Sequence, residues 1–364
     1  MKAIKILLFL LIAVSCKSNQ EQLEKDETQL PKNVILMIGD GMGLTQIQAA
    51  MAANGNTLNI ERFHTIGLSK TSSASSFITD SAAGATAFSI GEKTYNGAIG
   101  VNSDTIPVKT ILEYAEDAGI ATGLVSTSAI THATPAAFIA HQPSRNMAEE
   151  IAADFLKTDI DVFIGGGKDH FANRKDGFDL TDSLRQMGYH VSFELNDIEN
   201  VKSGKLAGLL SPDGMPPFSK GRGDMLAPSA MKAIELLNQN KSGFFLMIEG
   251  SQIDWGGHAN DPEYMVSELL DFDNTIGKVL NFAEKDGNTL VIIIADHETG
   301  GLTLPHGSDI LGDSTSTHFS TTHHTAVMVP VFSKGPGENQ FAGIYENNTL
   351  FDKMMYALGL TINN

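Results

Sequence analysis

The chain has 364 residues, 42% of them hydrophobic, enough for one large core or two average ones. Its formal charge is −18 at pH 7, from 25 Lys and Arg against 43 Asp and Glu. This argues against a nucleic-acid partner and requires any anionic substrate to be drawn in locally, by metal ions or a well-placed Arg. A single cysteine excludes both a disulfide framework and a thiolate-rich structural zinc site.

In chain order, residues 1–15 read as a signal peptide. Lys2 and Lys5 precede the apolar run "ILLFLLIAV" at 6–14, which is too short to span a membrane. Ala13-Val14-Ser15-Cys16 comes next, and a lone cysteine after small residues at this point resembles a bacterial lipobox. There Cys16 would be lipidated and become the first mature residue, and the membrane would be met through that N-terminal lipid only. Ordinary cleavage nearby, with Cys16 incidental, is the alternative. Residues 16–30 are polar and unpatterned and read as a tether. Such a chain is expected to be exported, to the periplasm or the cell surface, and residues 31–364 read as a single domain.

The first long apolar run, "NVILMI" at 33–38, ends in Gly39-Asp40-Gly41. Further runs occur at 123–128, 161–167, 244–250, 289–298 and 326–332. Continuous runs of this length predict strands buried on both faces of a sheet. Helical patterns lie between them at 108–118, 147–156, 229–237 and 265–283. Strands alternating with helices predict an α/β fold with a large, mostly parallel central sheet. Residues 75–101 are rich in Ser, Thr, Ala and Gly, but Phe77, Ile78, Phe88 and Ile90 make them unlike a linker. Asp80 and Ser81 are good helix-start residues, so a short helix is expected over 82–89, with a turn at Tyr95-Asn96-Gly97. Residues 168–223 are more polar and broken by Gly and Pro, and read as irregular surface or a small excursion.

The residues just past the strand ends carry the chemistry. Asp40 comes after the first run; Glu249, Asp254 and His258 after the run at 244–248; Asp296 and His297 after that at 290–295. In open α/β sheets ligands bind beyond the carboxyl ends of the strands, so these six should share one rim. A single Asp after a strand is more often a helix cap; six acidic or His residues at equivalent places are harder to dismiss. Asp254 and His258, four apart, face the same way if their segment is helical. Oxygen and imidazole donors without thiolate suit catalytic zinc or magnesium, and their number exceeds what one ion needs. Paired ions would clamp the attacking and leaving oxygens of a phosphoryl transfer. Ser81 at a helix start is then a candidate nucleophile, and Arg145 in "HATPAAFIAHQPSR" a candidate fork for phosphoryl oxygens. Taken singly, Ser81 also reads as a plain cap and Arg145 as a surface residue.

Six motifs in order resemble the alkaline phosphatases: "NVILMIGDGMG", "TDSAAGATAFSIGEKTYNGAIGV", "HATPAAFIAHQPSR", "FFLMIEGSQIDWGGH", "VIIIADHETGG" and "HHTAVMVPVFSKGPG". The resemblance covers roughly residues 33–337 and implies a three-layer α/β/α sandwich. It implies a metal-dependent phosphomonoesterase that hydrolyses small phosphate monoesters through a phosphoserine on Ser81, with Arg145 gripping the phosphoryl oxygens. By the same resemblance, two zinc ions and one magnesium ion are bound per chain. Asp254, His258 and His324 match one zinc site. Asp40, Asp296 and His297 match the second, which also holds the Ser81 oxygen. Asp40, Thr134 and Glu249 match the magnesium site, where zinc is the alternative. His324 rather than the adjacent His323 is aligned with the family's ligand, a one-residue choice.

Two positions depart from many members. His132 and Trp255 resemble the marine bacterial type, and the resemblance implies that both bind substrate, beside the outer magnesium shell and the water-mediated phosphate contacts. Only residues 298–323 lie between His297 and His324, where many members carry a large insertion, so the chain resembles a compact version. A homodimer is left open. A phosphodiesterase is one rival; a sulfatase is another, but residues 81–85 lack the Pro and Arg of its Cys/Ser-x-Pro-x-Arg pattern. A lipoprotein that merely scavenges metal or phosphate is a rival of another class. His64, His170, His190, His306 and His318 are read as ordinary surface or packing residues.

Overall fold

A computed structural model describes residues 30–305 and 317–361. The signal peptide, Cys16, nearly all of the tether, and His306 therefore lie outside the described residues. Among the described residues fourteen strands are formed: Asn33–Gly39 (β1), Thr65–Lys70 (β2), Ala121–Ala129 (β3), Val162–Gly166 (β4), Tyr189–Ser192 (β5), Lys205–Leu209 (β6), Phe244–Gly250 (β7), Thr289–Ile294 (β8), Glu298–Thr299 (β9), Leu302–Thr303 (β10), His318–Phe319 (β11), His324–Thr325 (β12), Val329–Lys334 (β13) and Gly343–Glu346 (β14). Ten of them make one sheet in the order β14-β2-β13-β8-β1-β7-β3-β4-β6-β5. Within it β13 runs antiparallel to both neighbours and every other pairing is parallel. β9 pairs with β12, and β10 with β11, in two small ladders off the main sheet.

The physical reason for the parallel centre is visible in burial. Every residue of β1, β3, β7 and β8 is buried, as expected where helices cover both faces. One layer is built on the helices Leu226–Leu237 and Pro262–Asp286, which pack on each other and on β1, β3, β4, β7 and β8. The other is built on Ser81–Ile90, Ile111–Asp117 and Thr349–Ala357, which pack on one another, with Ile111–Asp117 against β3 and β7 and Thr349–Ala357 against β14. The result is a three-layer α/β/α sandwich around a large, mostly parallel sheet.

Residues 168–223, expected as irregular surface or a small excursion, form an excursion at the sheet edge. They add β5 and β6 to the sheet edge, with three helices of their own. Their C-terminal end is tied to the long helix by Arg222, buried and bonded to Glu268 and Asp271 at 2.7 Å each. A buried cation with two carboxylates satisfies its own desolvation and fixes where this segment leaves the sheet.

Candidate active site

The rim above β8, β1, β7 and β3 collects nearly every predicted residue. Asp40 directly follows β1. Glu249 lies in β7, opposite Ile38 on one side and Ser126 on the other. The chain then enters the helix Gln252–His258, which places Asp254 and His258 one turn apart on the same side. Asp296 and His297 fill the turn between β8 and β9, and His324 opens β12 opposite Thr299.

Ser81 is the first residue of the helix Ser81–Ile90, all ten residues of which are buried. Asp80 caps this helix through Oδ1, which accepts from the Ala83 amide at 3.0 Å. Gly91, at φ 77°, ends it in the left-handed region. Gly84 lets the helix lie on the rim, because a Cβ there would stand 3.1 Å from that of Asp296. Ser81 Oγ lies 3.3 Å from His297 Nε2, with the positive end of the helix dipole beneath it.

Three groups of donors converge, each within a 4.8 Å span. Asp40, Asp296 and His297 form the first. His297 Nε2 is 3.1 Å from Asp296 Oδ2 and 3.5 Å from Asp40 Oδ1. The second contains Asp254, His297 and His324. His258 joins it: its Nε2 is 3.1 Å from His324 Nε2 and 3.3 Å from Asp254 Oδ2, while His324 Nε2 is 3.4 Å from Asp254 Oδ1. The third contains Asp40, Glu249 and His132. His323 is exposed, and its backbone bonds to Gly300 and Thr321.

Burial and neighbouring groups divide these carboxyls. Burial, followed by the charges of Asp296, Asp254 and Glu249, pushes the Asp40 carboxyl well above the usual carboxylate range. Burial likewise pushes Glu249 up to about 7, against hydrogen bonds from Ser126 and Ser251. Burial also acts on Asp254, but hydrogen bonds from His258 and His324 overcome it and hold that carboxyl well below its ordinary value. Both oxygens of Asp40, Oδ2 of Asp296, Oε1 of Glu249, Oγ1 of Thr134 and Nδ1 of His132 are buried without a hydrogen-bond partner. Buried polar atoms are nearly always satisfied, so orphaned acceptors converging from three carboxylates fit bound cations. Oxygen and imidazole donors suit zinc and magnesium.

Arg145 stands beside the serine. Its Nη1 donates to Asp80 Oδ2 at 3.1 Å, and Nη2 lies 3.3 Å from His132 Nε2. Burial, then the Arg145 charge, pushes His132 down to about 4, so the ring is neutral and can accept from the guanidinium. The indole of Trp255 meets the His132 ring edge-on at 5.9 Å. Gly214 backs Trp255: a Cβ there would lie 3.1 Å from the indole, so the segment 168–223 reaches the site. His64, His190 and His318 are exposed, and His170 is half-buried against Thr131.

Sequence reasoning missed several supporting residues. Asp80 was read only as a helix start, yet it also holds Arg145. Ser126 Oγ donates to Glu249 Oε2 at 2.7 Å, with Ser128 Oγ at 3.4 Å. The period-2 spacing of these serines on β3 was the available signal. Thr299, bonded to Asp254, had no signal beyond its nearness to His297.

A buried serine at a helix start, an arginine beside it and carboxylate-histidine clusters at the strand ends meet in one site of an α/β/α fold. Comparison with known proteins narrows this. The alkaline phosphatase family profile matches residues 31–320, and the chain belongs to that family. It is 42% identical to alkaline phosphatase 4 of Bacillus subtilis over 77% of this chain and 64% of that one. It is 33% identical to the Escherichia coli alkaline phosphatase over 90% and 86%. The chain thus spans about two thirds of the length of the Bacillus relatives, 64% and 65% of two of them. Among solved structures, the alkaline phosphatase of the Antarctic bacterium TAB5 superposes with a TM-score of 0.86 at 48% identity, covering 91% of this chain and 99% of that one. A mutant of that enzyme has been seen with magnesium bound in its M3 site.

Proposed function

We propose that the protein is a metal-dependent phosphomonoesterase that hydrolyses small phosphate monoesters to alcohol and inorganic phosphate through a phosphoserine on Ser81. The observation that carries this reading is Ser81 Oγ at a buried helix N-terminus, 3.3 Å from His297 Nε2, beside the orphaned carboxylate oxygens of Asp40 and Asp296. Asp254, His258 and His324 would hold one zinc ion; Asp40, Asp296 and His297, with the Ser81 oxygen, the other. Asp40, Thr134 and Glu249 would hold magnesium, and the convergence of His132 on Asp40 and Glu249 supports zinc as the alternative occupant. When bound, the ions would supply Lewis-acid charge at the nucleophile, the phosphoryl oxygens and the leaving oxygen.

The chain's own residues supply the rest. Ser81 Oγ attacks phosphorus in line, the P–O bond to the alcohol breaks, and water then cleaves the phosphoserine, returning Ser81. Arg145 offers its forked donors to two phosphoryl oxygens, oriented by Asp80 from behind. His132 and Trp255 line the approach. Residues 31–364 would act as one catalytic domain, carried outside the cytoplasm on a lipid at Cys16, with a homodimer open. Turnover of a chromogenic phosphate monoester tests the reading. Zinc- and magnesium-loaded protein should hydrolyse it and chelator-stripped protein should not. Faster turnover of a diester than of the monoester would replace the reading with a phosphodiesterase.

A further inference from the structure

We propose that Thr299 is a positioning residue whose single hydroxyl ties the two zinc-type clusters into one unit. The inference rests on the reading above that these clusters hold cations. Thr299 is fully buried in the two-residue strand β9. Its Oγ1 donates to Asp254 Oδ1, and the same oxygen lies 3.2 Å from His297 Nδ1. Asp254 belongs to one cluster only, whereas His297 stands in both and is the histidine that reaches Ser81 and Asp296 in the other. Proton accounting fixes the direction of the chain. His297 Nε2 faces the carboxylates and must offer a lone pair to a cation, so the ring proton sits on Nδ1. That N–H points at Thr299 Oγ1, whose only hydrogen is then directed to Asp254. A hydroxyl accepts from one ligand and donates to another, which neither a carboxylate nor an apolar side chain at this place can do.

The backbone of the same residue is held as firmly. Thr299 pairs with His324 across the β9–β12 ladder, its amide donates to the Gly41 carbonyl at 3.2 Å, and Gln46 donates to its own carbonyl at 2.8 Å. Gly41 in turn donates to Asp296 Oδ1. The fold clears space for it on two sides: a Cβ at Gly41 would stand 2.9 Å from Thr299 Oγ1, and one at Gly257 would stand 2.9 Å from its carbonyl oxygen. Thus glycines of "GDGMG" and "WGGH" make room for one threonine that touches Asp254, His297 and His324.

Outer partners that orient ligands typically change metal affinity 10- to 100-fold when removed. Equilibrium dialysis of the full-length protein against zinc, read with the visible spectrum of the cobalt-loaded form and the melting temperature of the apoprotein, tests the assignment. Thr299→Val should weaken both tight zinc sites by about 10- to 100-fold and alter the cobalt bands, with apoprotein melting little changed. Thr299→Ala, which avoids any clash, should behave alike, and Thr299→Ser should restore both sites. Unchanged zinc affinity in the hydroxyl-free variants would overturn the proposal, as would weakening confined to one site or failure of Thr299→Ser to rescue. Wild-type protein that binds no zinc would instead overturn the reading of the clusters as zinc sites, and this inference with it.

Discussion

Arg145 shows how single residues are shared between binding and structure. One of its terminal nitrogens is held by Asp80 Oδ2 and the other faces His132, so the fork is aimed before a substrate arrives. Asp80 serves two tasks with two oxygens: Oδ1 caps the serine helix and accepts from the Gly97 amide, and Oδ2 holds the arginine. A charge-assisted bond of this kind is worth about 1.5–3 kcal/mol, roughly a 10- to 100-fold change in affinity. Arg145→Ala should therefore weaken inhibition by inorganic phosphate by about that factor and slow turnover, with little change in melting temperature. An unchanged inhibition constant would show that Arg145 points elsewhere.

Elements carry the positions of these residues. The helix Ile111–Asp117 starts with a capping box: Thr110 accepts from the Glu113 amide, and Glu113 Oε2 accepts from the Thr110 amide at 2.7 Å. The second oxygen of Glu113 meets His141 Nε2 at 3.2 Å, and His141 Nδ1 lies 2.7 Å from the Gly100 carbonyl. This links the cap to the stretch that leads to Arg145. Burial is the largest influence and works against both charges, but their mutual hydrogen bond, the backbone bonds to Thr110 and Gly100 and their mutual attraction together outweigh it, so Glu113 is held below its ordinary value and His141 above. The Glu113 contribution is present above its unfolded value and is lost as pH falls through the folded one. The His141 contribution is present below its unfolded value and is lost as pH rises through the folded one. Their joint stabilisation is greatest between the ordinary carboxylate and histidine values, about 4.3 and about 6.5. The melting-temperature gap between wild type and His141→Ala should be wider at about pH 6 than at about pH 8.5. Equal gaps would mean that His141 acts through packing alone.

The same scale explains what could be read from the residues. β1, β7 and β8 were visible because each is a continuous apolar run, and their ends located Asp40, Glu249 and Asp296. β2, β5, β6 and β14 were missed: "TIGLSK", "YHVS", "KLAGL" and "GIYE" are short and carry no sustained period. The helix Gln252–His258 contains two adjacent glycines, which disfavour a helix locally, and only packing against the helix Pro262–Asp286 decides the matter. Local pattern located the first rank of the site but not its support. Ser126, Ser128 and Thr299 matter for what they touch across strands, and that depends on register rather than on spacing along the chain.

At the scale of the molecule, the central strands carry the carboxylates into one buried rim whose orphaned oxygens fit bound cations. Ligands that bind only the folded state stabilise it by about 2.7 kcal/mol at a concentration 100 times the dissociation constant. Chelation should thus lower the melting temperature, and excess zinc should restore it; insensitivity to chelator would contradict a metal-filled rim. The N-terminus is a separate matter: Cys16→Ser protein should leave the membrane fraction yet keep its specific activity, whereas an already soluble wild type would overturn the lipid anchor. The most direct test of the central claim is to quench metal-loaded protein in acid during turnover of a phosphate monoester and to locate the bound phosphate by peptide mass spectrometry. The account predicts phosphate on Ser81, absent from Ser81→Ala protein and from chelator-stripped protein. Phosphate on Thr79, or steady turnover with no phosphorylated peptide, would contradict it.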